Sequence, residues 1–233
     1  MHLILLHGAT GTAKQFDPLL PFLQPHFTIH LLNFYGHGGT NSTEPFSIAG
    51  FAKQFGAYID NEILPGEGEK ANINLFGYSM GGHVGVYFAR HYAGKVKKLI
   101  SLAAKFYWDP LIAAREAAML DPDKIELKVP AFAEKLKAAH ALGDWKQVLN
   151  NTSVMMQKMG NDNPLTAVDY PIVSLPCLLL VGDRDKMVSM KETEDVYRML
   201  PNGQMSVLPA TGHPIDQADP SLLAFLIKRF LAE

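Results

Sequence analysis

The sequence predicts an α/β domain, a mostly parallel sheet flanked by helices and carrying a helical insertion. Three observations predict it. Short apolar runs bounded by Gly, Pro, Asn or Asp recur along the chain; amphipathic stretches of helical spacing lie between most of them; and one long segment, from Tyr107 to about Pro171, has no strand pattern. Runs that are apolar throughout suit strands buried on both faces. Their alternation with helices implies βαβ units, hence parallel strands covered on both sides.

Taken in order, the expected strands are His2–Leu6, Thr28–Leu32, Ile73–Phe76, Val96–Leu102, Cys177–Val181 and Met205–Leu208. The opening apolar run is too short for a signal peptide and lacks a basic start, so it reads as the first strand. Helices are expected at Ala13–Leu23, Ile48–Ile59, Gly82–Tyr92, Met190–Leu200 and Ser221–Leu231, the last capped by Asp219 with Pro220 at its first position. Within the insertion, Asp109-Pro110 and Asp121-Pro122 repeat that cap-then-proline signature, and Gly143-Asp144 ends one helix and begins another at Trp145. About four short helices result. Their apolar side is expected to include Trp108, Leu111, Met119, Leu136, Trp145, Val148, Met155, Met156 and Met159. Two roles stay open for these side chains: packing on one another and on the sheet, or roofing an apolar pocket, with Trp108, Met155 and Met156 as the substrate-contact candidates.

Composition bounds the function. The chain has 233 residues, 21 basic against 23 acidic, and one cysteine. That size suits one domain with an insertion. A near-neutral charge without basic runs gives no footprint for nucleic acid. No run approaches the roughly 20 apolar residues of a membrane helix, so no membrane partner is expected. One cysteine cannot form an intrachain disulfide, is compatible with a reducing compartment, and leaves a cytoplasmic location as the expectation. Nine histidines show no metal-ligand grouping, so no metal and no cofactor are expected. The expected partner is a small-molecule substrate. Nothing in the sequence sets an oligomeric state.

The sharpest motif is Gly77-Tyr78-Ser79-Met80-Gly81-Gly82, placed between an expected strand and an expected helix. Gly-x-Ser-x-Gly in that context is a nucleophile elbow: the tight turn lifts the serine hydroxyl clear of the sheet. The helix behind it points amides at the same spot, so the Met80 N–H can stabilise a developing oxyanion. A second turn, His7-Gly8-Ala9-Thr10-Gly11, ends the opening strand and offers the Ala9 N–H as a partner donor. Later, Gly182-Asp183-Arg184-Asp185 places two acids after a strand, and Gly212-His213-Pro214 a histidine after the next. Serine, acid and histidine thus follow one another at strand ends, the edge where open parallel sheets bind ligands. Serine needs a base to be a nucleophile, and that base needs a carboxylate to fix its tautomer. His213 and Ser79 take the first two roles, and either acid can take the third.

These segments resemble the α/β-hydrolase superfamily, and the likeness runs over nearly the whole chain. It also takes in Asn33-Phe34-Tyr35-Gly36-His37-Gly38-Gly39-Thr40, similar to the family's Asp-x-x-Gly-His-Gly-x-Ser loop with asparagine and threonine where aspartate and serine are usual. The resemblance implies that residues 107–171 are a cap (lid), that 1–106 and 172–233 form the core, and that the family's first two strands are missing. It favours Asp185 over Asp183, because the acid usually stands third after the glycine. Asp216 is a weaker candidate, expected to hydrogen-bond the loop backbone. His7 and His37, in glycine turns, are expected to brace loops.

The activity implied is a serine hydrolase acting on small to medium, partly apolar carboxylic esters. Serine in the elbow argues against dehalogenase or epoxide hydrolase chemistry, where relatives carry aspartate. Two alternatives stand beside it. A lyase or synthase resembling the menaquinone-pathway enzyme would need cations in the pocket, from Arg90, Arg115 or Lys105. A non-catalytic ligand-binding protein on the same scaffold would show saturable binding without turnover.

Overall fold

A computed structural model describes residues 1–42, 44–68 and 71–233. Six strands, β1 (His2–Leu6), β2 (Thr28–Leu32), β3 (Ile73–Tyr78), β4 (Lys98–Leu102), β5 (Cys177–Gly182) and β6 (Gly203–Leu208), form one sheet in the order β2-β1-β3-β4-β5-β6. Every pairing is parallel. The helices are α1 (Leu20–Leu23), α2 (Ile48–Tyr58), α3 (Leu64–Glu67), α4 (Met80–His91), α5 (Pro110–Ala118), α6 (Pro122–Lys128), α7 (Pro130–Ala139), α8 (Trp145–Asn161), α9 (Met190–Met199) and α10 (Pro220–Ala232).

The strand order places the site. From β1 the chain steps outward to β2, then returns to the other side of β1 and continues outward through β3 to β6. The reversal falls between β1 and β3, and the crevice beyond the carboxyl ends of strands at such a switch point is where α/β sheets take ligands. Both turns expected to carry oxyanion donors leave the sheet there, since Leu6 pairs with Gly77.

Alternation along the strands builds two cores. Ile4, Leu6, Ile73 and Leu75 face α2 and α4 through Phe51, Phe55, Val84 and Phe88. Leu3, Leu5, Phe76 and Ile100 face the opposite side with Leu223, Ile227 and Phe230 of α10. Side chains at successive strand positions point to opposite faces, so a strand buried on both sides must be apolar throughout. That holds for the inner strands. In the edge strands β2 and β6 the expectation fails, because each has a partner on one side only; Leu31 is 40% and Val207 41% exposed.

The expected helix Ala13–Leu23 is broken into a 3₁₀ turn at Ala13–Phe16 and the single turn α1. Pro18 has no N–H to return to the carbonyl of Lys14, so the ladder cannot run through it. The elbow helix begins at Met80, two residues earlier than expected. Asp109, Asp121, Asp144 and Asp219 all cap their helices through their side chains.

Between β4 and β5 lie α5 to α8 and no strand. Part of this segment packs on itself, with Leu136, Trp145 and Leu149 around Ile125. Val148, Met155 and Met159 of α8 instead join the main core. Leu111 and Met119 were expected on the covered side but are 82% and 52% exposed, on the opposite surface of α5 from Ala113 and at its C-cap.

Candidate active site

The elbow is built by backbone strain that only close packing sustains. Ser79 has φ 52° and ψ −115°, outside the regions that side-chain-bearing residues favour. Its N–H is held by Leu102 O at 2.8 Å, and its carbonyl accepts from Gly82 and His83 as α4 begins. The flanking glycines are steric necessities: a Cβ on Gly77 would lie 2.3 Å from the Gly81 carbonyl oxygen, and one on Gly81 2.1 Å from that of Leu6.

The three expected side chains meet. Ser79 Oγ lies 3.2 Å from His213 Nε2, and His213 Nδ1 lies 2.9 Å from Asp185 Oδ2. Asp185 Oδ1 accepts from the backbone amides of Met187 and Val188, each at 2.8 Å. Burial alone would push the Asp185 carboxyl up, but the hydrogen bonds from His213 and these amides outweigh it and hold it below the usual range. A carboxylate fixed as a double acceptor requires the proton on His213 Nδ1, which leaves Nε2 free to accept the serine proton. Tyr78 Oη donates to the His213 carbonyl at 3.1 Å and steadies the histidine loop.

Asp183 and Asp216 lie outside this chain of bonds. Asp183 Oδ1 accepts from the Thr211 amide at 3.1 Å, bracing the same loop. Asp216 is exposed and pairs with Lys135 at 3.7 Å, a cation from the insertion, in place of the expected backbone bond. Among the described residues, neither the Ala9 nor the Met80 amide donates to a backbone or side-chain acceptor, so both are unspent.

The Ala9 turn is held from two sides. His37 Nε2 donates to Ala9 O at 2.8 Å, and Thr152 Oγ1 of α8 reaches the same oxygen at 3.4 Å. His140, just past α7, accepts from Gly38 N at 3.0 Å through Nδ1 and donates to Thr10 O at 3.2 Å through Nε2. His7 Nδ1 donates to Gly8 O at 2.8 Å, and Nε2 accepts from Phe34 N. The two departures in the glycine loop are absorbed: Asn33 Oδ1 accepts from Ala13 N, and Thr40 Oγ1 bonds the carbonyls of Phe34 and His37. His37 lies beside His7 and His140, at 4.9 and 6.0 Å between ring centroids.

A cavity of about 40 Å³ opens beside Ser79 and His213. The expected contact residues Trp108, Met155 and Met156 line it, together with Ala9 and Met80. Lys105 and Met159, weighed from the sequence as a pocket cation and a roof side chain, also line it, whereas sequence reasoning missed Ile48, His83 and Met187, which complete its wall. Only His83 carried a usable signal, standing four residues after Ser79 and so on the same face of α4. A larger depression, about 830 Å³, lies between α5, α6 and α8 and contains no part of the serine–histidine–aspartate chain.

Burial of histidines gives the protein an acid limit. His37 and His83 are held at about 4 by burial, against an ordinary 6.5, and His7 is lowered well below that value by burial and by His37. All three are neutral when folded, whereas in the unfolded chain they take protons near pH 6.5. Between pH 6.5 and 4 the unfolded state therefore binds more protons, and stability falls as pH drops. His37 and His83 should each cost about 2 kcal/mol by pH 5. Urea melts at pH 7.5 and 5.0 check this: the midpoint should drop clearly at pH 5.0, and equal midpoints would refute it.

The residues now in place can be compared with known proteins. A family model described as the alpha/beta hydrolase family matches residues 3–224. This chain belongs to that family. Among its relatives is a pimeloyl-[acyl-carrier protein] methyl ester esterase from Neisseria meningitidis serogroup B / serotype 15 (strain H44/76), 31% identical over 246 residues, spanning 97% of this chain and 91% of the relative. Among solved structures of the family fold, a thermophilic esterase from Thermogutta terrifontis aligns with TM-score 0.77 and 21% identity, covering 100% of this chain and 89% of that one. MenH from S. aureus aligns with TM-score 0.72 and 20% identity, covering 100% and 93%. Among the described residues, no helix is long and apolar enough to cross a membrane, and no group of three or more His, Cys, Asp or Glu could hold a metal ion.

Proposed function

We propose that the chain is a serine hydrolase that cleaves small carboxylic esters through an acyl-enzyme. The observation that carries this is the bonded sequence Ser79–His213–Asp185 beside two unspent amides at the sheet's switch point. In the proposed cycle His213 Nε2 takes the Ser79 proton as Oγ attacks the ester carbonyl carbon. The Ala9 and Met80 amides hold the oxyanion, and Asp185 steadies the imidazolium. The oxyanion collapses, the C–O bond to the alcohol breaks, and His213 passes its proton to the departing oxygen. Water, deprotonated by the same nitrogen, then attacks the acyl-enzyme and releases the acid with Ser79 restored. No cofactor or metal enters these steps. The relative named as a methyl ester esterase supports an ester as the substrate class.

Residues 107–171 serve in this proposal as the cap, with α8 supplying the methionine roof. The cavity beneath it is small and lined mostly by apolar side chains, Trp108 and the methionines among them. Acyl chains must therefore displace methionine side chains, which are flexible enough to yield for short groups. Hydrolysis of p-nitrophenyl esters from acetate to decanoate tests the proposal. The expected result is turnover with kcat/KM at least about 10-fold higher for C2–C4 than for C8–C10, as each misfit methylene costs on the order of 1 kcal/mol or more. Binding of the esters with no turnover and no labelling by a fluorophosphonate would favour a ligand-binding protein.

The synthase alternative needs free cations facing the site. Arg90 pairs with Asp169 at 3.1 Å, and Arg115 is largely exposed and pairs with Glu116. Lys105 lines the cavity, but its ammonium donates to Met187 O at 2.9 Å and stands 3.6 Å from Glu192. An ester hydrolase is the better fit to that charge arrangement.

A further inference from the structure

One wall residue of the cavity has a hydrogen bond left to make. His83 sits one turn beyond Ser79 on α4, is 2% exposed, and forms part of the wall beside Ser79 and His213. Its Nδ1 lies 2.9 Å from the Lys105 carbonyl oxygen. A carbonyl only accepts, so Nδ1 carries the proton, and in the neutral ring Nε2 then presents a lone pair. Among the described residues Nε2 is buried without any partner. A buried acceptor left unsatisfied is costly, and native proteins seldom keep one without use.

No other side chain of the wall supplies that partner. Trp108 is a side-chain donor in the wall, but its Nε1 is spent on the same Lys105 carbonyl at 3.1 Å. The Lys105 ammonium is committed to Met187 O and Glu192. Methionines and Ile48 offer no donor. Beside the Ala9 and Met80 amides, the cavity wall thus holds one residue whose buried ring nitrogen has no partner, and a few placed polar groups in an apolar lining are what orient a ligand.

We propose that His83 is a specificity-determining residue whose Nε2 accepts a hydrogen bond from a hydroxyl or amide N–H on the acyl group of the substrate. The inference rests on the ester-hydrolase proposal. The acyl side is chosen because that portion stays on Ser79 beneath the roof while the alcohol departs. A site built to bond a donor rejects the analogue lacking it more strongly than it rejects a change of shape.

The test compares methyl esters of 2-hydroxy-, 3-hydroxy- and 6-hydroxyacyl groups with analogues in which a methyl replaces the hydroxyl. For at least one position the wild type should favour the hydroxyl by 10- to 100-fold in kcat/KM. In His83→Phe that ratio should fall to one or below, and His83→Gln, which keeps an amide oxygen, should restore part of it. A ratio near one at every position, or an equal loss on both members of each pair in His83→Phe, would overturn the proposal.

Histidine ¹⁵N NMR of the wild type, titrated with the free hydroxy acids and their methyl analogues, needs neither turnover nor a folded variant. A shift of His83 Nε2 with a hydroxy acid alone supports the subsite even if no ester is cleaved, so a failure of the ester-hydrolase proposal is told apart from a failure of the subsite. No selective shift with any acid sinks it.

Discussion

Ser79→Ala should lower kcat on ester substrates on the order of 10⁴- to 10⁶-fold and abolish fluorophosphonate labelling. That corresponds to about 5 to 8 kcal/mol of lost transition-state stabilisation. The size follows from the way the group acts as a unit, since without Oγ neither the imidazole nor the carboxylate has a proton to move. The fold should be unaffected, because alanine keeps the Cβ and the same φ of 52°. Ser79→Gly separates the two roles of this position. It should be equally inactive yet more stable by about 1 to 3 kcal/mol, since glycine occupies that backbone region without strain. An active Ser79→Ala would end the covalent mechanism.

Asp185→Asn should lower kcat on the order of 10⁴-fold with little change in KM. The amide oxygen can replace Oδ1 as acceptor for the Met187 and Val188 amides, so the loop keeps its shape. The amide nitrogen then faces His213 Nδ1 as a donor and forces that nitrogen to accept. The proton moves to Nε2, where it blocks uptake of the serine proton. Asp183→Asn is the matched control. Its oxygen still accepts from Thr211 N, and activity should stay within about 3-fold of wild type. Comparable losses in both variants, measured as kcat against KM at pH 7.5, would remove the distinction between the two acids.

Much of this arrangement was legible in the chain because its signals are local. A glycine-flanked serine between strand and helix, and Asp-Pro before α5, α6 and α10, encode geometry within a few residues. The choice of Asp185 over Asp183 came from family resemblance, and the hydrogen bonds explain it physically: Asp185 turns back onto its own loop amides, while Asp183 reaches across to Thr211. What stayed hidden depends on contacts between segments far apart in sequence. His140 meets Gly38 and Thr10 across 102 and 130 residues, and no spacing rule points to it. The exposure of Leu111 and the half-buried edge strands likewise follow from which surfaces find partners. Composition along the chain does not encode that pairing.

The bonds from His140 and Thr152 to the Gly8–Thr10 turn make the insertion a structural part of the proposed oxyanion site. A loop inserted at this place in a sheet and held only by its own packing would recombine freely among homologues, bringing its own selectivity. Here the donor segment would also have to bring a ring that accepts from Gly38 and donates to Thr10, and a hydroxyl over Ala9. A chimera lacking those two groups would inherit the new pocket together with a poorly held Gly8–Thr10 turn. Selectivity and rate are therefore heritable as one block in this chain, and transplanting the first requires rebuilding the second.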